Sequence, residues 1–233
     1  MKIKDKIIDY CIKNRISTTE VADALGKKGV YDNIKPMIEG KYFVGEIQTV
    51  FTGFNSNYQI HDQIKNTKEG SIVMIFTHEC DNRAVIGDLI SKFLLLYKVA
   101  KAIIVDGLVR DIASIKRESF PVWSKGYTPL GCHNKKVDLF PIDKQKELEA
   151  QFNKAIAVCD DGGVTIIKNE LINDETYKNL IRIEMQEDIW FYCLDTLKWD
   201  TKQIVCEKKY LLDNELLPKT YIDNIEELKK PLD

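Results

Sequence analysis

Apolar residues near the start of the chain first follow a helical period and then a strand period. The apolar positions of the first fifteen residues are Ile3, Ile7, Ile8, Cys11 and Ile12, and their spacing predicts an amphipathic helix. Ser17 and Glu20 have the form of a capping box, so a second helix is expected over 18–25, ending at Gly26. Residues 42–51 are rich in β-branched and aromatic side chains and predict a strand that ends at Gly53.

Further along the chain, short apolar runs alternate with helical segments. The predicted elements are a helix over 58–64, a strand over 72–76, a helix from Gly87-Asp88 to about Lys98, a strand over 102–105 ending at Asp106-Gly107, a helix from Arg110 or Asp111, and a strand over 121–123. Continuous apolar runs of this length suit strands that are buried on both faces. The order of the elements therefore predicts βαβ units and an α/β fold with parallel strands.

The last part of the chain adds a hairpin and a helical tail. Residues 155–159 and 164–167 flank Asp160-Asp161-Gly162-Gly163, whose turn chemistry predicts the hairpin. From about Asn173 the sequence is helical and polar, and its expected anchors are Trp190, Phe191, Tyr192 and Trp199. Without a repeat or a linker-like stretch, we expect one domain over 1–188 and a helical C-terminal extension over 189–233 packed on it.

Composition and charge narrow the class of protein. The 233 residues are 44% hydrophobic, and 34 basic against 36 acidic residues leave a formal charge of −2, which is typical of a globular rather than a disordered protein. A near-neutral chain offers no electrostatic footprint for nucleic acid. The N-terminus lacks the apolar core of a secretory signal, and no stretch approaches the roughly 18 apolar residues that span a bilayer. A cytoplasmic location without membrane attachment is the resulting prediction.

The six cysteines are widely spaced and form no CxxC pair, so we expect reduced and mostly buried thiols. Two stretches, His78-Glu79-Cys80-Asp81 and Cys132-His133, contain side chains that can ligate a metal. Neither has the spacing of a known zinc site. Accidental matches of this kind are common, and the sequence therefore disfavours zinc.

The first stretch with chemical potential is residues 82–90, a loop that leads into a helix. The free amides of a helix's first turn carry partial positive charge, so they can bind a carboxylate or a phosphate. Gly87 would let such a ligand approach closely. The alternative is that Asp88 simply caps its own helix, which is the commoner use of aspartate at such a position.

The second stretch places Arg110 and Asp111 directly after an apolar strand. Ligands of open α/β sheets bind outside the carboxyl ends of the strands. Arginine offers a fork of donors to a carboxylate or an enolate, and aspartate offers hard oxygen ligands to a cation such as Mg²⁺. The alternative is a local surface salt bridge worth about 0–1 kcal/mol, and this stretch alone does not separate the two interpretations.

Taken together, these stretches resemble a known family. The run from Gly87 to Asp111, with Val105-Asp106-Gly107 before Arg110-Asp111 and Phe120-Pro121-Val122-Trp123 after it, resembles the regulator of ribonuclease activity A (RraA) family. That family includes class II pyruvate aldolases that act on 4-hydroxy-4-methyl-2-oxoglutarate. Further segments agree in order, namely 21–25, Val44-Gly45, Thr49-Val50 and 160–166, so that the likeness covers roughly residues 17–185.

The resemblance implies a layered α-β-β-α domain of the RraA-like, swivelling-domain type that assembles as a homotrimer or hexamer, with the active site between subunits. In aldolase members, the residue matching Asp111 holds a divalent metal, Mg²⁺ or Mn²⁺, mostly through waters. The residue matching Arg110 binds the substrate and its developing enolate, and the residue matching Asp88 orients a metal-bound water. The amides that would receive the pyruvyl carboxylate are those of Gly87, Asp88, Leu89 and Ile90. A glutamate from a neighbouring subunit completes the site, with Glu184 and Glu187 as loose candidates.

The resemblance therefore implies a divalent-metal-dependent lyase that cleaves a C–C bond of a small 2-oxo acid through a pyruvate enolate, by retro-aldol cleavage or by oxaloacetate decarboxylation. The alternative is a non-catalytic regulator that binds a ribonuclease or another protein. A methyltransferase activity lacks support, because the chain has no GxGxG turn for the cofactor.

One feature departs from the family pattern. Residues 89–109 place twenty-one residues between Asp88 and Arg110, whereas the family usually has twenty. The extra residue is expected near 98–102, where the family has glycines and this chain has none. We therefore expect a helix end without the usual left-handed cap, on the far side of the sheet from the site.

Overall fold

Helices and strands alternate along most of the chain in a computed structural model that describes residues 1–213, 215–222, 225 and 228. The helices are α1 (Ile3–Asn14), α2 (Thr18–Ala24), α3 (Tyr58–Gln63), α4 (Asp88–Lys92), α5 (Ile112–Arg117), α6 (Ile142–Phe152), α7 (Asp174–Asp195), α8 (Lys209–Leu212) and α9 (Lys219–Ile222). The strands are β1 (Lys35–Pro36), β2 (Phe43–Gly53), β3 (Ile72–His78), β4 (Ala84–Ile86), β5 (Ala102–Val109), β6 (Val122–Tyr127), β7 (Ile156–Asp160) and β8 (Gly163–Ile167). Short 3₁₀ turns follow α3 and β8, at Ile64–Asn66 and Asn169–Leu171, and π-helical turns occupy Phe93–Tyr97 and Lys202–Cys206.

The long strand β2 joins two sets of strands. Its residues 43–46 pair antiparallel with β7, and its residues 47–53 pair parallel with β3. The order across the sheet is β1-β6-β5-β3-β2-β7-β8, with β4 paired to the end of β5. Because β3, β5 and β6 run parallel to one another, the predicted βαβ units are confirmed, and so is the hairpin formed by β7 and β8.

Alternating side chains of the strands divide the interior into layers. On β3, Val73 and Ile75 belong to an apolar cluster with residues of α3, α4 and α5, whereas Ile72 and Met74 face a second cluster shared with β7 and β8. A third cluster lies on the other side of β7, where Val158 packs with residues of α1, α2 and α7. The layers therefore follow the order helices, strands, strands, helices, and the expected α-β-β-α architecture is confirmed.

Local signals explain how the outer helices begin. The side chain of Ser17 accepts the Glu20 amide at 3.1 Å, and the Glu20 carboxylate accepts the Ser17 amide at 2.6 Å. This reciprocal pair is the predicted capping box. At the start of α7, the side chain of Asn173 accepts the Thr176 amide at 2.9 Å, so this helix begins where the sequence indicates.

Helix α7 extends from the layered domain into the C-terminal region. Its first half contributes to the third cluster, and its second half forms a fourth cluster with the residues that follow. The buried members of this fourth cluster are Ile189, Cys193, Trp199, Ile204, Tyr210, Leu217, Ile225 and Leu228. Trp199 is an anchor as expected, but Phe191 is 60% exposed and is not. The expected division after residue 188 falls inside α7.

Two sequence expectations for the middle of the chain need correction, and one helix there was not predicted. The strand expected to end at Asp106-Gly107 continues to Val109 as β5, since Gly107 passes close to Thr77 of β3. A Cβ at Gly107 would lie 2.8 Å from Cγ2 of Thr77, so glycine lets the strand continue there. Residues 82–90, expected to be loop and helix, also contain β4, which is too short to give a periodic signal. Helix α6 was missed because only Phe152 of its residues is buried, leaving little apolar periodicity.

The helix that begins at Asp88 ends differently from expectation. After α4 it continues as the π-helical turn, and Val99 then adopts a left-handed conformation with φ 55°. The Ala100 amide donates to the Leu94 carbonyl at 3.0 Å and closes the helix end. The expectation of an end without a left-handed cap was wrong, because a valine takes the position that glycine usually fills. A π-helical turn holds one residue more than an α-helical turn. The turn can therefore accommodate the additional residue between Asp88 and Arg110, near the amino end of β5 and away from Arg110.

Two further sequence expectations concern the whole chain. In the part of the chain that the structure describes, no helix combines the length and apolar character needed to cross a membrane. The six cysteines are free thiols, of which four are buried, Cys132 is half-buried and Cys206 is exposed. The expectation of mostly buried thiols is confirmed.

Candidate active site

A cavity of about 150 Å³ lies beyond the carboxyl end of β5, beside β4 and the first turns of α4 and α5. The six site residues that the sequence placed in these two stretches all line it: Gly87, Asp88, Leu89, Ile90, Arg110 and Asp111. The opposite wall comes from Asn57, His61, Gly131 and Asn134, which the sequence did not indicate, and from Cys132, which it indicated only as a possible metal ligand. The fold therefore brings the two predicted stretches to one place, at the strand end where α/β proteins bind ligands.

A tight backbone turn presents the side chain of Asp111 to the cavity. The Arg110 amide donates to the Ile86 carbonyl at 3.0 Å and holds the end of β5 against β4. Asp111 then adopts a left-handed conformation with φ 60° and begins α5 as its N-cap residue. Its side chain makes no capping hydrogen bond to α5, so the carboxylate remains available to the cavity.

The Asp111 carboxylate lies between two donors. Its Oδ2 atom is 3.3 Å from the backbone amide nitrogen of Asp88 and 3.5 Å from Nε of Arg110. The side chains of Arg110 and Asp111 remain 51% and 37% exposed. The salt bridge that the sequence left as an alternative is present, but an ion pair of this exposure contributes little stability. Both charged groups are therefore open to a ligand in the cavity.

Two glycines make room for these charged groups. A Cβ at Gly87 would lie 2.2 Å from Oδ2 of Asp111, and a Cβ at Gly131 would lie 2.7 Å from Nη1 of Arg110. Gly87 has φ −140°, which other residues also adopt, so close approach rather than backbone conformation calls for glycine here. The sequence indicated Gly87 but not Gly131, which reaches the site through its bridge to Ala84.

Asp88 does not cap its own helix. The N-cap residue of α4 is Gly87, and Asp88 is the first helical residue, with its backbone amide directed toward Asp111. The capping alternative was therefore wrong. The half-buried side chain of Asp88 lies at the cavity wall, where no capping hydrogen bond within α4 engages it.

The opposite wall contributes an unused hydrogen-bond acceptor. The Oδ1 atom of Asn57 is buried and has no partner among the described residues. A buried unpaired carbonyl oxygen is unfavourable by about 1–3 kcal/mol, and a donor on a bound ligand would relieve this penalty. Nothing in the sequence around Asn57 signals this role, because the residue enters the site only through the packing of the segment before α3.

The donor set of the cavity fits a hydrated divalent cation rather than a fully coordinated one. Within the described ranges, no three His, Cys, Asp or Glu side chains cluster closely enough to hold a metal ion. Mg²⁺ commonly binds through one or two carboxylates and keeps several waters. The partly exposed Asp111 carboxylate at the cavity wall provides an attachment point of that kind.

The two candidate glutamates lie on α7, within the helical layer across the two strand layers from the cavity. Glu184 accepts hydrogen bonds from the Tyr10 hydroxyl and from Nδ2 of Asn14. Burial and the nearby carboxylates of Glu20 and Asp23 raise the pKa of Glu187 above its ordinary value. Neither residue lines the cavity of its own chain, and a role in a neighbouring subunit's site stays a prediction.

Comparison with known proteins identifies the family. A family model described as RraA-like, Aldolase/RraA, matches residues 18–174. The chain belongs to the RraA-like family. The matched range contains every residue of the two stretches at the cavity, and this confirms the resemblance found in the sequence.

A sequence relative and two solved structures illustrate the similarity of this RraA-like chain to other proteins. A protein of Halalkalibacterium halodurans, provisionally named a 4-hydroxy-4-methyl-2-oxoglutarate aldolase, is 30% identical over 123 residues, which cover 52% of this chain and 58% of that protein. An uncharacterized Pseudomonas syringae protein has a TM-score of 0.64 at 22% identity, over 84% of this chain and 95% of that one. Streptomyces coelicolor RraAS2 is described as an unusual member of the RNase ES inhibitor RraA protein family. It has a TM-score of 0.61 at 14% identity, over 78% of this chain and 94% of that one. The structural likenesses establish a shared fold.

Proposed function

We propose that this RraA-like protein is a divalent-metal-dependent lyase that cleaves a C–C bond of a small 2-oxo acid and releases pyruvate. The observation that carries the proposal is the meeting of three groups at one cavity. The Asp111 carboxylate lies within 3.5 Å of both the Arg110 guanidinium and the Asp88 amide nitrogen. A site that stabilises negative charge on a keto acid needs such a combination of cationic, amide and metal-binding groups.

The positive groups of the cavity suit the carboxylate of a 2-oxo acid. The amides of the first helical turn, at residues 88–90, have no carbonyl partner one turn back and carry the positive end of the helix dipole. Arg110 adds a planar fork of donors that matches a carboxylate or an enolate. Both face the same cavity, so the substrate can be held at one end by amides and at the other by the guanidinium.

Asp111 is the residue that would hold Mg²⁺ or Mn²⁺, with water completing the coordination shell. When bound, the ion supplies a Lewis acid that withdraws electron density from the ketone of the 2-oxo acid. Arg110 holds Asp111 in place through the ion pair and presents its remaining donors to the substrate oxygens. The narrow space beside Gly87 keeps the carboxylate close to the amides.

The chemistry of the leaving fragment determines which reaction takes place. As the C–C bond breaks, negative charge moves onto the pyruvate fragment, and the Arg110 guanidinium stabilises that charge. If the other fragment is a carbonyl compound, as for 4-hydroxy-4-methyl-2-oxoglutarate, a hydroxyl proton must be removed, and the Asp88 carboxylate positions the water that accepts it. If the fragment is CO₂, as for oxaloacetate, no such proton transfer is needed.

The proposal extends to assembly and location. The protein acts as a homotrimer or hexamer in the cytoplasm, and Glu184 or Glu187 of a neighbouring subunit contributes to the site. The relative named as an aldolase supports the substrate class, although this chain spans little more than half of that protein's length. The rival function is a non-catalytic regulator that binds a ribonuclease or another protein, and the activity assay separates the two.

The test is metal-dependent pyruvate release from oxaloacetate by the purified protein. We expect turnover with Mg²⁺ or Mn²⁺ and its loss on adding EDTA. Arg110→Ala and Asp111→Asn should lower the rate at least about 100-fold, the usual scale for losing a charge-stabilising group, while keeping wild-type circular dichroism. Arg117→Ala is the matched control, since Arg117 lies on α5, is 68% exposed and contacts Ser114 and Glu118 close to it in the chain. Pyruvate formation no faster than the metal-only background would reject the lyase and leave the binding function.

A further inference from the structure

Two thiols from distant parts of the chain meet beside the cavity. The loop after β3 carries Cys80, and its Arg83 amide donates to the Cys80 carbonyl at 2.9 Å. The segment after β6 carries Cys132, whose amide donates to the Ala84 carbonyl at 3.0 Å. These backbone contacts place the two side chains in one apolar cluster, where the two sulfur atoms are close enough to interact.

The two sulfur atoms have different surroundings. Cys80 is 7% exposed, while Cys132 is half-buried and lines the cavity. The neighbouring Cys132 side chain is the main cause that lowers the pKa of the Cys80 thiol below its ordinary value, and burial opposes this shift. The interaction with the Cys80 side chain and burial raise the pKa of the Cys132 thiol. Cys80 therefore ionises more readily than an ordinary cysteine and lies beside a second thiol, an arrangement found in redox-active cysteines.

The backbone around Cys80 is held in an uncommon conformation. Glu79 and Asp81 both have positive φ, at 48° and 41°, a region that non-glycine residues seldom adopt. Asn55 holds this conformation in place: its amide donates to the Glu79 carbonyl at 3.0 Å and its Nδ2 donates to Asp81 Oδ2 at 2.7 Å. Such conformations persist where the surrounding structure imposes them, often at functional positions.

A metal does not account for the pair. The two stretches that offered metal ligands in the sequence do come together, but no third ligand joins Cys80 and Cys132 in the described part of the chain. Two sulfur ligands fall short of the four that a structural zinc site requires. The remaining chemistry available to adjacent thiols is oxidation to a disulfide.

We propose that Cys80 and Cys132 are a modification site at which a hydroperoxide forms a reversible disulfide. The Cys80 thiolate attacks one oxygen of hydrogen peroxide, the O–O bond breaks, and the departing hydroxide takes a proton from solvent to become water. Cys80 is then a sulfenic acid. The Cys132 sulfur attacks it, the S–S bond forms, the S–O bond breaks, and the hydroxide leaves with the Cys132 proton as a second water. The two sulfurs lose two electrons in total, and peroxide gains them.

The disulfide acts on the candidate active site through Gly131. Gly131 precedes Cys132 in the chain, and its carbonyl accepts a hydrogen bond from Nη1 of Arg83 at 3.0 Å. Gly131 also lies against the Arg110 guanidinium, where a Cβ would come within 2.7 Å of Nη1. Joining Cys132 to Cys80 restrains this segment and shifts the wall against which Arg110 packs. The disulfide itself does not depend on the proposed lyase function, whereas its effect on pyruvate release rests on that function.

Disulfide mapping after peroxide treatment tests the proposal. The probe is hydrogen peroxide added to the reduced Cys206→Ser protein, which removes the exposed thiol that could join two molecules. We expect an intact mass lower by two hydrogen atoms, a linked peptide pair containing Cys80 and Cys132, and reversal by dithiothreitol. In Cys132→Ser, dimedone should instead label Cys80 as the sulfenic acid, and Cys132→Ala provides a second variant if the serine form is unstable.

Two outcomes would overturn the proposal: a linked peptide pair that omits either residue, or both residues remaining free thiols after other cysteines have been oxidised. Activity is read separately. If the reduced protein releases pyruvate, the oxidised form should be slower, and dithiothreitol should restore the rate. If the reduced protein is inactive, the proposed function fails while the mapped disulfide still stands.

Discussion

Gly87 and Asp111 occupy one confined space: a Cβ built on Gly87 would lie 2.2 Å from Oδ2 of Asp111. The next contact of that Cβ would be Cγ of Arg110, at 2.9 Å. Both are side-chain atoms of partly exposed residues, so they can move without disturbing the core. Position 87 therefore controls where the two charged groups lie and has little influence on whether the chain folds.

Gly87→Ala should separate activity from stability. We expect at least a tenfold fall in metal-dependent pyruvate release, because the Asp111 carboxylate must leave its place beside the Asp88 amide, and misplaced catalytic groups lose rate steeply. The midpoint of urea unfolding should change little, since φ at this position is −140°. Gly131→Ala is the companion variant, which displaces the Arg110 guanidinium instead. Unchanged turnover in both variants would remove Arg110 and Asp111 from the proposed mechanism.

Val99→Gly should stabilise the protein. Val99 is a β-branched residue at φ 55°, and the left-handed conformation disfavours such a residue by about 1–2 kcal/mol. Glycine removes that strain, but its greater conformational freedom in the unfolded chain lowers stability by roughly 0.5–1 kcal/mol. The side chain is 51% exposed, so little burial is lost, and we expect a net gain of about 0.5–1 kcal/mol by urea denaturation. Val205→Gly is the control, because Val205 lies in a helical turn where glycine should destabilise.

Glu187→Gln should stabilise the protein at neutral pH and not in acid. Burial and the neighbouring Glu20 and Asp23 carboxylates raise the pKa of Glu187. A carboxylic acid whose pKa is higher in the folded state than in the unfolded state destabilises the folded protein when it is ionised. This destabilisation is complete above the folded-state pKa and disappears below the unfolded-state pKa of about 4.3. The glutamine variant should gain at most about 1 kcal/mol at pH 7, with the gain vanishing near pH 4.

Unfolding by urea at both pH values measures this difference. Glu69→Gln, at an exposed turn position, controls for the change in net charge. A gain for Glu187→Gln that is equal at pH 7 and pH 4 would contradict the electrostatic explanation.

Ser17→Ala should destabilise the protein by about 1 kcal/mol. The substitution removes the oxygen that accepts the Glu20 amide and leaves that amide without its partner at the start of α2. Ser17→Asn retains a capping acceptor and should remain close to wild type. The denaturation midpoints of the three proteins, measured side by side, give the result, and an alanine variant as stable as wild type would show that the capping box adds nothing.

Local chemistry allowed the sequence alone to determine several parts of this protein. The capping box at Ser17 and Glu20, the start of the C-terminal helical region near Asn173 and the buried parallel strands follow from residues within a few positions of each other, where helical turns and apolar runs leave a direct pattern. Arg110 and Asp111 are neighbours in the chain, so their proximity needs no folding. The resemblance of residues 17–185 to the RraA-like family rested on the same short segments, and the family assignment confirmed it.

Only the tertiary structure decided how the cavity is enclosed. Gly131 and Cys132 reach it through the register of β4 on β5 and the bridge between Ala84 and Gly131. Asn57 reaches it through the segment before α3, whose Asn57 amide donates to the His133 carbonyl at 3.1 Å. Contacts over such sequence distances leave no periodic signal. The same register brings Cys132 to Cys80. Helix α6, whose residues are mostly outside the core, and β4, only three residues long, were not evident in the sequence for the same reason: their positions depend on packing against distant segments, not on the pattern of their own side chains.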